Sequence, residues 1–145
     1  MKFSTRARYG MRAMLDIAAN GGDKLVLLKD IAERQAISKR YLEHMMSQLK
    51  NGGLLIAERG VGGGYRLSRP ANEIRLDEIF EVLEGRLMLI ECLRDPSVCD
   101  RVEDCVTREL WDEMTTAMRT VLEKKTLEDL KMRLEEMQTI ERQSV

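Results

Sequence analysis

A mainly α-helical fold carrying a small β-wing is predicted from three observations. Apolar residues recur at helical spacing in several separate stretches of the 145-residue chain. Residues 28–69 read as a helix, a sharp turn, a second helix and a glycine-tipped hairpin. Cationic charge gathers around that stretch. Residues 1–70 carry 13 Lys and Arg against 6 Asp and Glu, a net of +7, whereas residues 71–145 net −8, although the whole chain is only −1. A basic half joined to an acidic half is the asymmetry expected where one half meets phosphate.

The second helix of that stretch places Tyr41, Leu42, Met45, Met46 and Leu49 on one face, with Ser38 as its N-cap. Lys39, Arg40, Glu43, His44, Ser47 and Lys50 fall on the other. Alone, this pattern fits an ordinary amphipathic helix with a solvated face. The hairpin behind it shifts the balance. After Asn51-Gly52-Gly53, Leu54 to Ala57 reads as a strand, Arg59 and Gly60-Val61-Gly62-Gly63-Gly64 as a turn, and Tyr65-Arg66-Leu67 as the returning strand. No Lys-Ser or Lys-Thr follows the glycines, so this is not a phosphate-binding P-loop. A winged helix-turn-helix is expected, with the recognition helix in the major groove and Arg59 at the minor groove or backbone.

Ile31-Ala32-Glu33-Arg34-Gln35, Ile37-Ser38, Tyr41-Leu42-Glu43, Arg59-Gly60 and Gly62-Gly63-Gly64-Tyr65 together resemble the Rrf-type bacterial regulators, a family that includes IscR, NsrR and CymR. The resemblance runs from Met1 to about Leu130. It implies a homodimeric repressor on a roughly palindromic double-stranded operator, with Ser38, Lys39, Arg40, Tyr41, Glu43, His44, Arg59, Gly60, Gly63, Gly64 and Tyr65 as the DNA-binding set. In IscR-like members a Glu in the context of Tyr41-Leu42-Glu43 is linked to choosing between operator classes.

The remaining elements follow in order. Ser4 or Thr5 caps a first helix running to about Ala19, with Ala7, Met11, Met14, Leu15 and Ala18 as its buried stripe. Arg6, Arg8 and Arg12 oppose the dipole at its start, so something anionic is expected nearby, either DNA phosphate or an acidic partner surface. Lys29 to Gln35 forms the second helix. The turn after it has Ala36 where many helix-turn-helix turns place Gly; a positive φ there costs Ala about 1–2 kcal/mol. Residues 69–72 are a linker, and Ile74 to Leu83 reads as a helix ended by Gly85.

Cys92, Cys99 and Cys105 lie in one polar loop, separated by six and five residues. An odd number of cysteines disfavours a closed set of disulfides, and no CxxC zinc pair is present. Thiols in a polar loop suit soft-metal ligation, redox chemistry or one disulfide with a thiol left over. The spacing resembles the cluster loop of IscR and NsrR. That resemblance implies an iron–sulfur cluster on Cys92, Cys99 and Cys105, 2Fe-2S before 4Fe-4S. The fourth ligand departs from the family pattern: IscR-like members have His where Arg108 stands, and NsrR-like members have an acidic residue near the place of Arg8. Asp100, Asp104, Glu109 or the other subunit is left to supply it. His44, the one histidine, belongs to the DNA-reading face.

From Val106 to about Lys125, apolar residues at Val106, Leu110, Met114, Ala117, Met118, Val121 and Leu122 form a coiled-coil-like seam. A second seam, Leu127, Leu130, Leu134 and Met137, follows the cap Thr126. Two successive seams fit dimerisation. The expected organisation is residues 1–85 as the DNA-binding domain, 86–105 as the cysteine loop and 106–145 as dimerisation helices and tail.

No apolar run approaches bilayer length and no signal-peptide pattern opens the chain, so a cytoplasmic protein without a membrane partner is expected. A single His and no nucleotide or substrate motif argue against an enzyme and against a small-molecule substrate. The alternatives are a cluster-free regulator controlled by a protein partner or by thiol oxidation, and a redox enzyme or electron carrier that contains a winged helix.

Overall fold

The computed structural model describes residues 2–145. Its elements are α1 (Thr5–Asn20), α2 (Leu28–Gln35), α3 (Lys39–Asn51), β1 (Leu55–Glu58), β2 (Gly64–Leu67), α4 (Leu76–Glu84), α5 (Glu91–Arg94), α6 (Val106–Glu123) and α7 (Leu127–Gln143). Three short 3₁₀ turns lie at Ala71–Glu73, Pro96–Val98 and Val102–Asp104. The architecture is a winged helix: α1 and α4 back the α2–α3 pair, and β1 and β2 form the antiparallel wing.

The core is aliphatic and thioether. Met14, Ile17, Ile31, Leu42, Met45, Met46, Leu49, Leu54, Ile74, Ile79, Leu83 and Leu127 are fully buried. Ser4 caps α1, its hydroxyl accepting from the Ala7 N–H at 3.1 Å. The buried face of α1 is rotated from the expected stripe. Ala13, Asp16 and Ile17 join Ala7, Met14 and Ala18, while Met11 and Leu15 are only half-buried. Gly10 explains the close approach of α4, because a Cβ there would strike the Leu83 side chain.

The α2–α3 corner is held by polar groups. The Asp16 carboxylate, 3% exposed, accepts from Arg34 Nε at 3.0 Å, Arg34 Nη2 at 2.7 Å and Gln35 Nε2 at 2.8 Å. Arg12 donates to the Gln35 carbonyl and, at 3.1 Å, to its side chain, and lies over the Tyr9 ring. Arg12 therefore ties the corner together, its bonds going to neutral acceptors of an exposed residue pair. Ala36 follows with φ 52° and ψ 47°, the one non-glycine residue of positive φ among those described.

The wing pairs Leu55 with Leu67 through Glu58 with Gly64. Val26 adds a third partner, exchanging both backbone hydrogen bonds with Tyr65 at 2.8 Å. A Cβ on Gly64 would lie 2.5 Å from the Val26 carbonyl oxygen, so the two backbones meet at a distance only glycine permits.

Three sequence expectations change beyond the wing. Ile74 is not helical; α4 begins at Leu76, and Ile74 instead accepts from the Leu127 N–H at 2.8 Å. Leu76 in turn donates to the Lys125 carbonyl at 3.0 Å, so the starts of α4 and α7 are stapled together. The expected second dimer seam also divides. Leu127 is fully buried and Leu130 packs against the same core, whereas Met137 and Ile140 are exposed. The first turns of α7 thus belong to the DNA-binding body of their own chain. The cysteine loop is not featureless either, because α5 and two 3₁₀ turns order it.

Replacing Ala36 by Gly removes an Ala cost of about 1–2 kcal/mol in the left-handed region and adds roughly 0.5–1 kcal/mol of chain entropy. Ala36→Gly is therefore expected to gain up to about 1.5 kcal/mol, read as a higher urea midpoint at constant slope. A midpoint below that of the parent would show that the corner carries no such strain.

Candidate nucleic-acid interface

The recognition helix α3 starts at the Ser38 cap, whose hydroxyl accepts from the Tyr41 N–H at 3.3 Å. Leu42, Met45, Met46 and Leu49 anchor it, each fully buried. That anchoring sends Lys39, Arg40, Glu43, His44, Ser47 and Lys50 to solvent. Gly52 lets its C-terminus pack against Val82 of α4, where a Cβ would sit 2.5 Å from a valine methyl. Tyr41 is half-buried, edge-on to Tyr9 at 6.1 Å.

Two adjoining concavities gather the expected residues. One is lined by Ser38, Arg40, Tyr41, Glu43 and His44. The other runs between α3 and the wing and brings Lys39 and Glu43 together with Arg59, Gly60, Gly63, Gly64 and Tyr65. Lys29, Ser47 and Lys50 line the same groove. Ser47 and Lys50 lie on the polar face visible in the sequence; Lys29, at the start of α2, is placed there only by the fold. Four cations, Lys29, Lys39, Lys50 and Arg59, thus share a groove with two carboxylates, Glu43 and Glu58.

Tyr65 registers the groove's field. Its phenol is pushed above the usual value, first by burial and then by the Glu43 carboxylate, with Arg59 opposing. Both charges, one from α3 and one from the wing, therefore act on the same hydroxyl. The wing tip projects beyond it, with Gly60 and Gly62 at φ 96° and 79° and Val61 fully exposed.

The cysteines lie on the far side of α4 in the chain. Cys92 is in α5, Cys99 follows a 3₁₀ turn and Cys105 is the N-cap of α6. All three are free and partly buried. The Cys105 thiol is held below its usual value by the Thr107 hydroxyl at 3.3 Å, then by the Arg108 backbone N–H, with a contribution from Arg101. Arg108 Nη2 reaches the Cys92 carbonyl at 3.4 Å, and its Nε is buried without an acceptor. As a donor set the loop suits an iron–sulfur cluster in kind: three thiols, one eased toward thiolate, beside a guanidinium that lacks an anionic partner. In placement it does not: no three His, Cys, Asp or Glu among the described residues are grouped to hold a metal ion. A shared metal requires residues 92–105 to draw closer.

Comparison with known proteins places these features in a family. Residues 3–133 match the Rrf2 family model, described as an iron-dependent transcriptional regulator. Protein rrf2 of Nitratidesulfovibrio vulgaris is 40% identical over 130 residues, covering 90% of this chain and 87% of that protein. The HTH-type transcriptional regulator CymR of Bacillus subtilis is 39% identical over 130 residues, covering 90% and 89%. The solved structure of IscR from T. potens superposes with a TM-score of 0.78 at 36% identity, covering 95% of this chain and 91% of that one. With a winged helix, a cation-lined groove and a match over nearly its whole length, the chain belongs to the Rrf2 family of DNA-binding transcriptional regulators.

Proposed function

We propose that this chain is a cytoplasmic, homodimeric repressor that reads a roughly palindromic operator and is modulated by an iron–sulfur cluster on Cys92, Cys99 and Cys105. The observation that carries the DNA-binding part is the single groove shared by α3 and the wing. Lys39 and Glu43 within it, and Arg40 and His44 in the adjoining concavity, face base edges, while Arg59 and the glycine-rich tip follow phosphate or the minor groove. The dimer reading rests on α6, where Val106, Leu110, Met114 and Val121 are each more than 40% exposed on the isolated chain. A second α6 would cover them, and two recognition helices would then address two half-sites. None of the described helices is long and apolar enough to cross a membrane.

When bound, the cluster would supply a centre whose charge and presence follow iron and oxidant. The chain's own residues do the rest. Cys105 begins α6, Arg108 ties the first turn of α6 to α5, and the far end of α6 meets α4 through the Lys125–Leu76 hydrogen bond. A rearrangement of the loop therefore acts first on the placement of α6.

A second reading is a cluster-free regulator controlled by a protein partner or by thiol oxidation. It is favoured by the separate placement of the three thiols, by the lowered Cys105 thiol and by the similarity to CymR. The absorbance of protein purified without oxygen separates the two: brown protein with visible charge-transfer bands supports the cluster, and colourless, iron-free protein supports the second reading.

Single Cys92→Ala, Cys99→Ala and Cys105→Ala variants are expected to lose most bound iron and keep their helical content, since the loop lies outside the core. Iron and sulfide retained in all three would remove the ligand assignment.

Arg59→Ala is expected to weaken binding to every DNA sequence and to reduce the salt slope by about 1, the signature of a lost phosphate contact. An unchanged slope and affinity would take the wing out of the interface.

Glu43→Ala is expected to bind random DNA as well as the parent or better, because a carboxylate repels phosphate. It should lose about 1–3 kcal/mol of discrimination, because a carboxylate accepts from the cytosine amine and finds no good partner at a wrong base. Competition against a library of randomised sites reads both effects; an unchanged ranking would reduce Glu43 to a solvated helix residue.

A further inference from the structure

We propose that Lys29 is a further DNA-contact residue, holding a backbone phosphate from the wing side of the groove. This rests on the groove reading above and adds to it a residue outside both the recognition helix and the wing.

Lys29 is exposed and lines the groove with Lys39, Lys50 and Arg59. It takes part in no ion pair among the described residues, not even with Asp30 beside it. Its position works against the helix that carries it. Lys29 stands in the first turn of α2, where the dipole disfavours a cation. Lys50 stands in the last turn of α3, where the dipole favours one. Lys50 thus has a structural reason for its place, whereas an anion in the groove supplies the reason for Lys29. Lys39 and Arg40 stand in the same relation to α3 as Lys29 does to α2, so both helices of the pair begin with cations that their own dipoles oppose. Attachment decides which wall Lys29 belongs to. Val26 exchanges two backbone hydrogen bonds with Tyr65 at 2.8 Å, and Leu27 and Leu28 then line the groove up to Lys29. Lys29 therefore follows directly from a segment bonded to the returning strand of the wing, on the same side as Arg59. A lysine is a compact charge on a flexible stem, suited to a phosphate oxygen, and a phosphate contact orients the protein without reading sequence.

The test uses the full chain as wild type, Lys29→Gln, Lys29→Arg and Arg59→Ala. Two duplexes of equal length serve as probes, one selected from a randomised library and one scrambled, and affinity is followed by fluorescence anisotropy as salt is raised. In Lys29→Gln the salt slope is expected to be shallower by about 1 on both duplexes, so that its deficit against wild type narrows roughly 3-fold between about 50 and 200 mM salt. The preference for the selected duplex stays as in wild type, and Lys29→Arg keeps the wild-type slope. The urea midpoint of Lys29→Gln equals or exceeds that of wild type, because no ion pair is lost and a charge opposed by the dipole is removed. An unchanged slope in Lys29→Gln overturns the proposal, as does a changed preference between the duplexes or a lower urea midpoint, which would make Lys29 a base-reading or a structural residue. If Arg59→Ala flattens the slope and Lys29→Gln does not, the groove reading stands and Lys29 alone is withdrawn. A wild type that binds neither duplex sinks the groove reading, and this proposal with it.

Discussion

The buried Asp16 carboxylate sets the geometry on which DNA reading depends. A lone buried charge is strongly unfavourable, and attraction repays the cost only where the partners are held in good geometry. Asp16 meets that condition with a two-nitrogen contact from Arg34 and a third bond from Gln35, the last two residues of α2 to carry long polar side chains. Arg12, one turn before Asp16, donates to the Gln35 carbonyl, an orphan acceptor at the helix end where a cation is also favoured by the dipole. The end of α2 is thereby locked to α1 on both sides. Only then does the chain turn through Ala36 into α3, so the direction of α3 follows from a buried carboxylate outside the groove.

What was legible in the sequence follows from what a one-dimensional pattern contains. Period and punctuation announced α3, the wing and the long α6: an apolar face, a serine cap, and glycines where backbones turn or meet. Ala36 stood out because the corner calls for glycine, and its φ of 52° bears that out. Asp16 was illegible, since its partners lie 18 and 19 residues away and a carboxylate on a helix ordinarily reads as solvated. The Arg12 contact was illegible for the same reason, since Gln35 lies 23 residues away. Leu127 and Leu130 show a further limit: a heptad-like spacing says that a face is covered, not whether its own chain or a second copy covers it. The cysteine spacing likewise says nothing of distance across the loop.

The wing depends on a different constraint, closeness of backbones. Val26 and Tyr65 exchange two hydrogen bonds, and Gly64 lies against the Val26 carbonyl. Through Val26 the wing is tied to the segment entering α2. Both walls of the groove are thus attached to α1 and α2, and Tyr65 lies where Glu43 of α3 and Arg59 of the wing both act on it. Attachments of this kind, close-packed or backbone-bonded, leave the groove little freedom to change width.

That rigidity bears on how the proposed signal at the cysteine loop would reach the groove. From the loop the chain runs along α6 to Lys125, where backbone hydrogen bonds join it to the start of α4. α4 packs on α1 through Leu83 and Gly10, and on the end of α3 through Val82 and Gly52, contacts too close to admit a methyl group. Every link on this path is close-packed or backbone-bonded, and such contacts pass on displacement rather than absorb it. The loosely held parts are the loop itself and the exposed apolar stripe of α6. On the proposed reading, a signal at the cysteines would therefore have little leverage on the shape of one groove. Its leverage would be on where α6 carries that groove, and in the proposed dimer this would become the separation and angle of two half-site readers. Operator affinity would then respond steeply to that spacing, because two recognition helices on one palindromic site must enter successive turns of the same face of DNA.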